Sequence, residues 1–329
     1  MTDPSLTLEN EVLQQDSSPD RDIGPRYLII ALIIGGVIRL LRMVSNGLDP
    51  DEIHSLEVAL YPTLGSLIEH ELNSPHNPHP GGHYLFHWVW IRLAGTSEFA
   101  LRFPSFVMGM LSIVIIYRLA SNLFDARVGG YASMWAAITS GMISTSVQAR
   151  MYSQLILLSV LMIDQINRHL LNEKIGPQGV IKVTCVGILL AYTHYFGTML
   201  AMLSLVIAIL FRIKSRFDKM PAVITLTLII LGFLPQLQAT LADFFVNKDS
   251  GGVRYINNMQ GWDLILVILS RQLNGSMPLA LIIILCCASM LLITLPKEIQ
   301  SYKRGWTIIG IWWGDHLAYH CSFRLWDLQ

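Results

Sequence analysis

The chain has 329 residues, 53% of them hydrophobic and 14% charged, against roughly 25% charged in an ordinary soluble domain. Lys and Arg together number 23, as do Asp and Glu, so the net charge is zero and there is no electrostatic case for nucleic acid or a strongly acidic partner. So much apolar surface requires a bilayer as solvent, because several apolar runs approach the roughly 20 residues that cross a hydrocarbon core.

Residues 1–26 are polar, carry Asp3, Glu9, Glu11, Asp16, Asp20 and Asp22, and are punctuated by Pro4, Pro19 and Pro25. This predicts a flexible cytoplasmic tail, since a cleavable signal would open on a basic stretch followed directly by an apolar one. Eight apolar runs then follow: Tyr27 to Val44, Phe103 to Leu119, Val128 to Val147, Tyr152 to Ile166, Val180 to Tyr195, Phe196 to Phe211, Ala222 to Leu237 and Leu279 to Leu295. The expected fold is all-α, a polytopic transmembrane bundle of about eight spans over residues 27–304 plus a C-terminal stub. Cys185, Cys286 and Cys287 fall inside apolar runs and Cys321 in the terminal tail, leaving no pair in the polar loops for a structural disulfide.

Lys and Arg collect in short cytoplasmic loops. With the N-terminus inside, the inner side receives Arg21, Arg26, Arg118, Arg127, Arg168, Lys174, Lys182, Arg212, Lys214, Arg216, Lys219, Lys297, Lys303 and Arg304, against six on the outer side. Arg39 and Arg42, at the outward end of the first span, run against this count and are expected to snorkel to the headgroups.

The long outer segment 45–102 then holds the chemistry. It carries Asp49, Asp51, Glu52, Glu57, Glu69, Glu71 and Glu98 with His54, His70, His76, His79, His83 and His87, and no Lys or Arg before Arg92. Its apolar pieces, Tyr84 to Leu93 and Phe99 to Phe103, are too short to span and suit interfacial helices. Directly after the first span stand Asp49, Pro50, Asp51 and Glu52. One reading is local, with Asp51 as N-cap of a helix starting at Glu52 and acids favoured at its positive end. The other is chemical: Asp51 or Glu52 as a general base toward an acceptor hydroxyl, or as a cation ligand.

In the stretch Asn77 to His83, a helix begun by Pro80 would put His83 and His87 on one face at one-turn spacing. That spacing can ligate zinc, but the glutamate of a His-Glu-x-x-His site is missing, so no metal is expected and His79 and His83 read as facing a substrate or the interface. Arg150, in Gln148 to Tyr152, is either an interfacial anchor or a phosphate contact. His194, within Thr193 to Gly197, needs a polar cavity at membrane depth.

In order and spacing, these elements over Gly47 to Gln238 resemble the polytopic glycosyltransferases that use polyprenyl-phosphate sugars, the relatives of protein O-mannosyltransferases and of the lipid A aminoarabinose transferase. The resemblance rests on the acidic pair after the first span, the His-Pro element before an aromatic helix, Gly95, Ser97, Glu98, Ala100, Leu101, Arg102, Pro104 and Ser105 entering the second span, and the Gln148 to Tyr152 and Thr193 to Gly197 elements. Where the family usually has His-Pro-Pro and an apolar residue, this chain has His79, Pro80, Gly81, Gly82.

The resemblance implies transfer of a hexose, with mannose as first candidate, from a polyprenyl-phosphate sugar to an acceptor hydroxyl of a protein, lipid or glycan. The site would face the extracytoplasmic side of the plasma (inner) membrane. Asp51 would be the base with Glu52 beside it, Arg102, Arg150 and His194 the donor-phosphate side, and His79, His83, Tyr152 and Tyr195 the walls of the cavity; no cofactor is implied. A transporter or channel with an acidic, His-rich entrance is the competing reading. It predicts ionisable groups in mid-span, where Asp164, the one acid inside a predicted span, lies near an inner end. A third reading is an inactive fragment: in residues 305–329 the stretch Trp306 to Gly314 is apolar but too short to cross and gives way to Asp315 and His316, as in a truncated product.

Overall fold

The computed structural model describes residues 23–44, 47–73 and 79–246. The predicted span Leu279 to Leu295, the segment 305–329 and most of the acidic tail lie outside them. The described residues form helices joined by short turns and loops, with no strand among them.

Helix α1 (Ile23–Met43) begins four residues before the apolar run that predicted it. Ile29, Ile33, Val37 and Leu41 form an exposed stripe along it while Ala31, Gly35 and Arg39 are buried. An apolar face turned outward and a small or polar face turned inward is the pattern lipid demands. Four helical segments are long and apolar enough to cross a membrane: α1, α5 (Glu98–Leu123), α10 (Tyr195–Lys214) and Met220–Leu237 of α11 (Met220–Val246).

Of the eight expected spans, four are matched by helices of that length among the described residues, three more correspond to shorter or interrupted helices, and the eighth lies outside the described residues. The run Val128 to Val147 is broken at Thr139 into α6 (Ala126–Ile138) and α7 (Ser140–Ser146). Helix α8 (Tyr152–Gln165) continues only through a π-helical turn, Ile166–Leu170, and α9 (Pro177–Thr193) has 17 residues.

The break is held from α1. Thr139 is extended (φ −64°, ψ 126°), which frees carbonyls at the end of α6. Arg39 donates from Nη1 to Ala137 O at 2.8 Å and to Gly35 O at 3.1 Å, and from Nη2 to Ala136 O at 3.3 Å. Its side chain is wholly buried, so the expected snorkelling to the headgroups is not observed; the carbonyls of the broken helix supply the partners instead. Glycines let α1 and α6 come this close, since a Cβ on Gly24 would stand 2.1 Å from Ala126 O.

Two larger apolar cores hold the long helices together, beside smaller clusters among the short helices between α1 and α5. One joins Ala31, Ile113, Ala136, Ala137, Met142 and Ile156 across α1 and α5–α8, and the other runs through α8–α11 around Met162, Leu190, Leu205 and Ile229. At one end of the bundle Asp164, fully buried, accepts from Arg118 at 2.5 Å and from Arg168 at 3.0 Å, and Arg212 donates to the carbonyls of Leu170 and Asn172. The other end carries three short helices that follow α1: α2 (Pro50–Ala59), α3 (Leu64–Asn73) and α4 (Gly82–Ala94). The piece Phe99 to Phe103, expected to lie in the interface, is the first turn of α5, whose N-cap Ser97 accepts from Ala100 N. Gly95, at φ +82°, makes the turn out of α4.

Candidate active site

Helix α2 starts two residues earlier than expected. Asp49, not Asp51, is the N-cap: Asp49 Oδ1 accepts from Glu52 N at 2.9 Å, Glu52 Oε2 accepts from Asp49 N at 3.1 Å, and Pro50 occupies the first turn. This frees Asp51 from any capping role and leaves its side chain half exposed.

Glu52 turns inward and is 1% exposed. Arg102 grips it through Nε at 2.8 Å and Nη2 at 2.6 Å, and Ala149 N donates to it at 2.7 Å. Burial pushes its carboxyl up, but the Arg102 guanidinium and the two backbone N–H donors outweigh that and hold it below the usual carboxylate range. Arg102 also donates to the carbonyls of Met43 and Gly47. One carboxylate thus ties together the end of α1, the start of α2, the start of α5 and the loop before α8.

That loop delivers Arg150. Its Nη1 donates to Asp51 O at 3.2 Å and Ser55 Oγ at 3.1 Å, and Nη2 lies 3.8 Å from Asp51 Oδ2. Its Cζ stands 5.9 Å from the Tyr152 ring, which is 6.3 Å from the ring of His194. The His194 ring is in turn 4.7 Å from His79. Asp51, Arg150, Tyr152, His194 and His79, drawn from four separated stretches of chain, therefore form one series of contacts.

His194 is the extended N-cap of α10, and its Nδ1 accepts from Phe196 N at 3.1 Å. That assignment puts the ring proton on Nε2. Tyr195 opens α10 and is half-buried.

Helix α4 begins at Gly82, two residues after Pro80. Its histidines share a face as expected, with ring centroids of His83 and His87 4.4 Å apart. His83 Nδ1 meets Gln154 Oε1 at 3.4 Å and His87 Nε2 meets Leu101 O at 3.3 Å. The two glycines explain the departure from His-Pro-Pro. A Cβ on Gly82 would lie 2.6 Å from Tyr192 O, and one on Gly81 2.9 Å from Glu71 Oε2. Their absence lets the start of α4 close onto the end of α9, which is what seats His79 against His194.

The interior of this cluster is buried. Burial drives His79 and His83 well below the usual imidazole range and takes His87 and His194 down to about 4, so these rings are neutral at pH 7. Arg150 Nε, Tyr84 Oη, His79 Nδ1, His83 Nε2 and His87 Nδ1 are buried without a hydrogen-bond partner among the described residues. Among those residues no group of three or more His, Cys, Asp or Glu side chains is arranged to hold a metal ion.

Ser55, Tyr84 and Gln154 are absent from the residues the sequence singles out. Ser55 was within reach, since it follows Asp51 by one helical turn. Tyr84 and Gln154 carry no pattern of their own.

Residues 78–239 match the family model described as dolichyl-phosphate-mannose-protein mannosyltransferase. The matched stretch contains His79, His83, Arg102, Arg150, Tyr152 and His194, and begins after Asp51 and Glu52. No curated protein and no solved structure matches the chain.

Proposed function

We propose, taking as premise a chain that belongs with the membrane mannosyltransferases, that it moves a hexose, mannose first, from a polyprenyl-phosphate sugar to an acceptor hydroxyl on the extracytoplasmic face of the plasma (inner) membrane. The observation that carries this reading is the bridge made by Arg150 between half-exposed Asp51 and the buried ring cluster of Tyr152, His194 and His79. It sets a proton acceptor open to solvent beside a guanidinium set in low dielectric.

The roles follow from those surroundings. Asp51 takes the proton of the acceptor hydroxyl as its oxygen attacks the anomeric carbon. The bond from that carbon to the phosphate oxygen breaks, its electron pair stays on the phosphate, and Arg150 and His194 Nε2–H stabilise the charge that develops. Tyr152, His79 and His83 line the cavity. Glu52 and Arg102, each spent on the other, act as positioning residues that hold Asp51 and Arg150 at their places; this moves both away from the direct roles the resemblance suggested.

Membranes carrying the chain, supplied with radiolabelled polyprenyl-phosphate mannose and acceptor, test the reading. Asp51→Asn is expected to lower transfer about 10²–10⁴-fold, the usual contribution of a positioned base. Equal rates for Asp51→Asn and the parent would remove Asp51 from the base role.

A further inference from the structure

The cluster around Arg150 contains one more group than the proposed chemistry uses. Tyr84, on the first turn of α4, is 0% exposed, packs between Val58 and Leu67, and has no hydrogen-bond partner for its hydroxyl among the described residues. A buried hydroxyl left unpaired costs roughly 1–3 kcal/mol, and a phenylalanine would fill the same space without that cost.

The surroundings say what the hydroxyl faces. The Tyr84 ring lies 5.6 Å from His83 and 6.2 Å from His54, and its oxygen feels both the buried Glu71 carboxylate and, more strongly, the Arg150 guanidinium, whose Nε–H is likewise buried and unpartnered. Burial keeps the phenol protonated, pushing it up to about 12. The cluster is also short of positive charge. Arg102 is committed to Glu52, Arg150 is shared with Asp51, and the histidines are neutral. An anion with three or more acceptor oxygens must therefore complete its hydrogen bonds from neutral donors.

We propose that Tyr84 Oη–H and Arg150 Nε–H form a paired donor site for the phosphate of the polyprenyl lipid, which makes Tyr84 a further phosphate-binding residue. The inference rests on the anion role given to Arg150 above. Phosphate is the ligand it commits to, because both groups are donors and one of them belongs to the guanidinium that Glu52 does not hold.

The test is binding of a short-chain polyprenyl phosphate and of the matching polyprenol to the purified full chain, parent and Tyr84→Phe, with thermal unfolding measured on both. Tyr84→Phe is expected to bind the phosphate roughly tenfold more weakly, the worth of one hydrogen bond to a charged group, to bind the polyprenol as the parent does, and to melt no lower. A parent that prefers the phosphate together with an unchanged variant overturns the Tyr84 assignment alone. So does a Tyr84→Phe variant that melts several degrees lower, since the hydroxyl would then have its partner within the protein. A parent that binds both lipids equally overturns the anion reading of Arg150 and this inference with it.

Discussion

Arg102 holds both carboxylate oxygens of Glu52, at 2.6 and 2.8 Å, across 50 residues of chain. Neither partner is exposed by more than 4% at its side chain, so removing one strands the other. Loss of a single member of such a buried pair costs about 3–5 kcal/mol. Glu52→Gln and Arg102→Met are therefore expected to lower the unfolding temperature and the activity together, whereas Asp51→Asn lowers activity alone. A Glu52→Gln variant that melts like the parent but is inactive would instead give Glu52 a direct chemical role.

Gly82→Ala places a methyl group where the Tyr192 carbonyl oxygen already stands, 2.6 Å away. Backbone cannot swing aside as a side-chain tip can, so α4 must retreat from α9, at the roughly 1–3 kcal/mol typical of overpacking. Retreat separates His79 from His194, and the expected kinetic signature is a raised KM for the lipid donor. Gly65→Ala, whose added carbon meets nothing closer than 3.9 Å, is the control and should leave KM unchanged.

Acid should loosen the site before it loosens the apolar cores. The folded-state values of His79, His83, His87 and His194 lie below the unfolded value of roughly 6.5, so from about pH 6.5 downward the unfolded chain takes up protons that the folded one refuses. Stability is full above that pH and falls below it, by up to about 1.4 kcal/mol per pH unit for each such ring. Glu52, depressed in the fold, adds its loss only below its unfolded value of roughly 4.3. Unfolding temperatures read between pH 7.5 and 5 should slope downward, and His87→Gln should flatten the slope; a level curve for the parent would remove the neutral-ring account.

Much of this was legible beforehand, for reasons that differ residue by residue. Asp51, Arg150 and His194 could be assigned to one end of the bundle because each stands at the border of an apolar run, and borders survive errors in the number of spans. The break at Thr139 could not be read. No Pro marks it, Gly141 nearby is a residue that membrane helices carry routinely, and its stabilising partner, Arg39, lies in a distant part of the chain. Glu52 looked like the twin of Asp51 because adjacency in sequence hides the turn of a helix, which points one carboxylate outward and the next into a guanidinium. Gly81 and Gly82 were visible as a departure from pattern, but the atoms they make room for, Glu71 and Tyr192, are tertiary neighbours.

Arg39→Leu removes the donors to Ala136 and Ala137 and leaves those carbonyls beside a hydrocarbon side chain. The expected loss is about 2–3 kcal/mol, seen as a lower unfolding temperature and as faster proteolysis near Thr139. Arg39→Lys should recover part of it, since an ammonium keeps the charge and three donors but not the planar fork that reaches Gly35, Ala136 and Ala137 together. Cleavage unchanged in Arg39→Leu would mean the break stands without its clamp.

The same contact sets an order of assembly. Arg39 leaves the ribosome inside the first span, and the carbonyl it needs is synthesised 98 residues later, roughly 5–20 s at ordinary elongation rates. For that interval a guanidinium belonging to the interior has only the Gly35 carbonyl of its own helix and lacks both carbonyls of α6, and lipid is a costly place to wait. The first helix must linger at the headgroups or in the insertion machinery, and it reaches its final depth only when α6 arrives to receive it. The clamp that bends one helix thereby couples the seating of another to how far translation has gone.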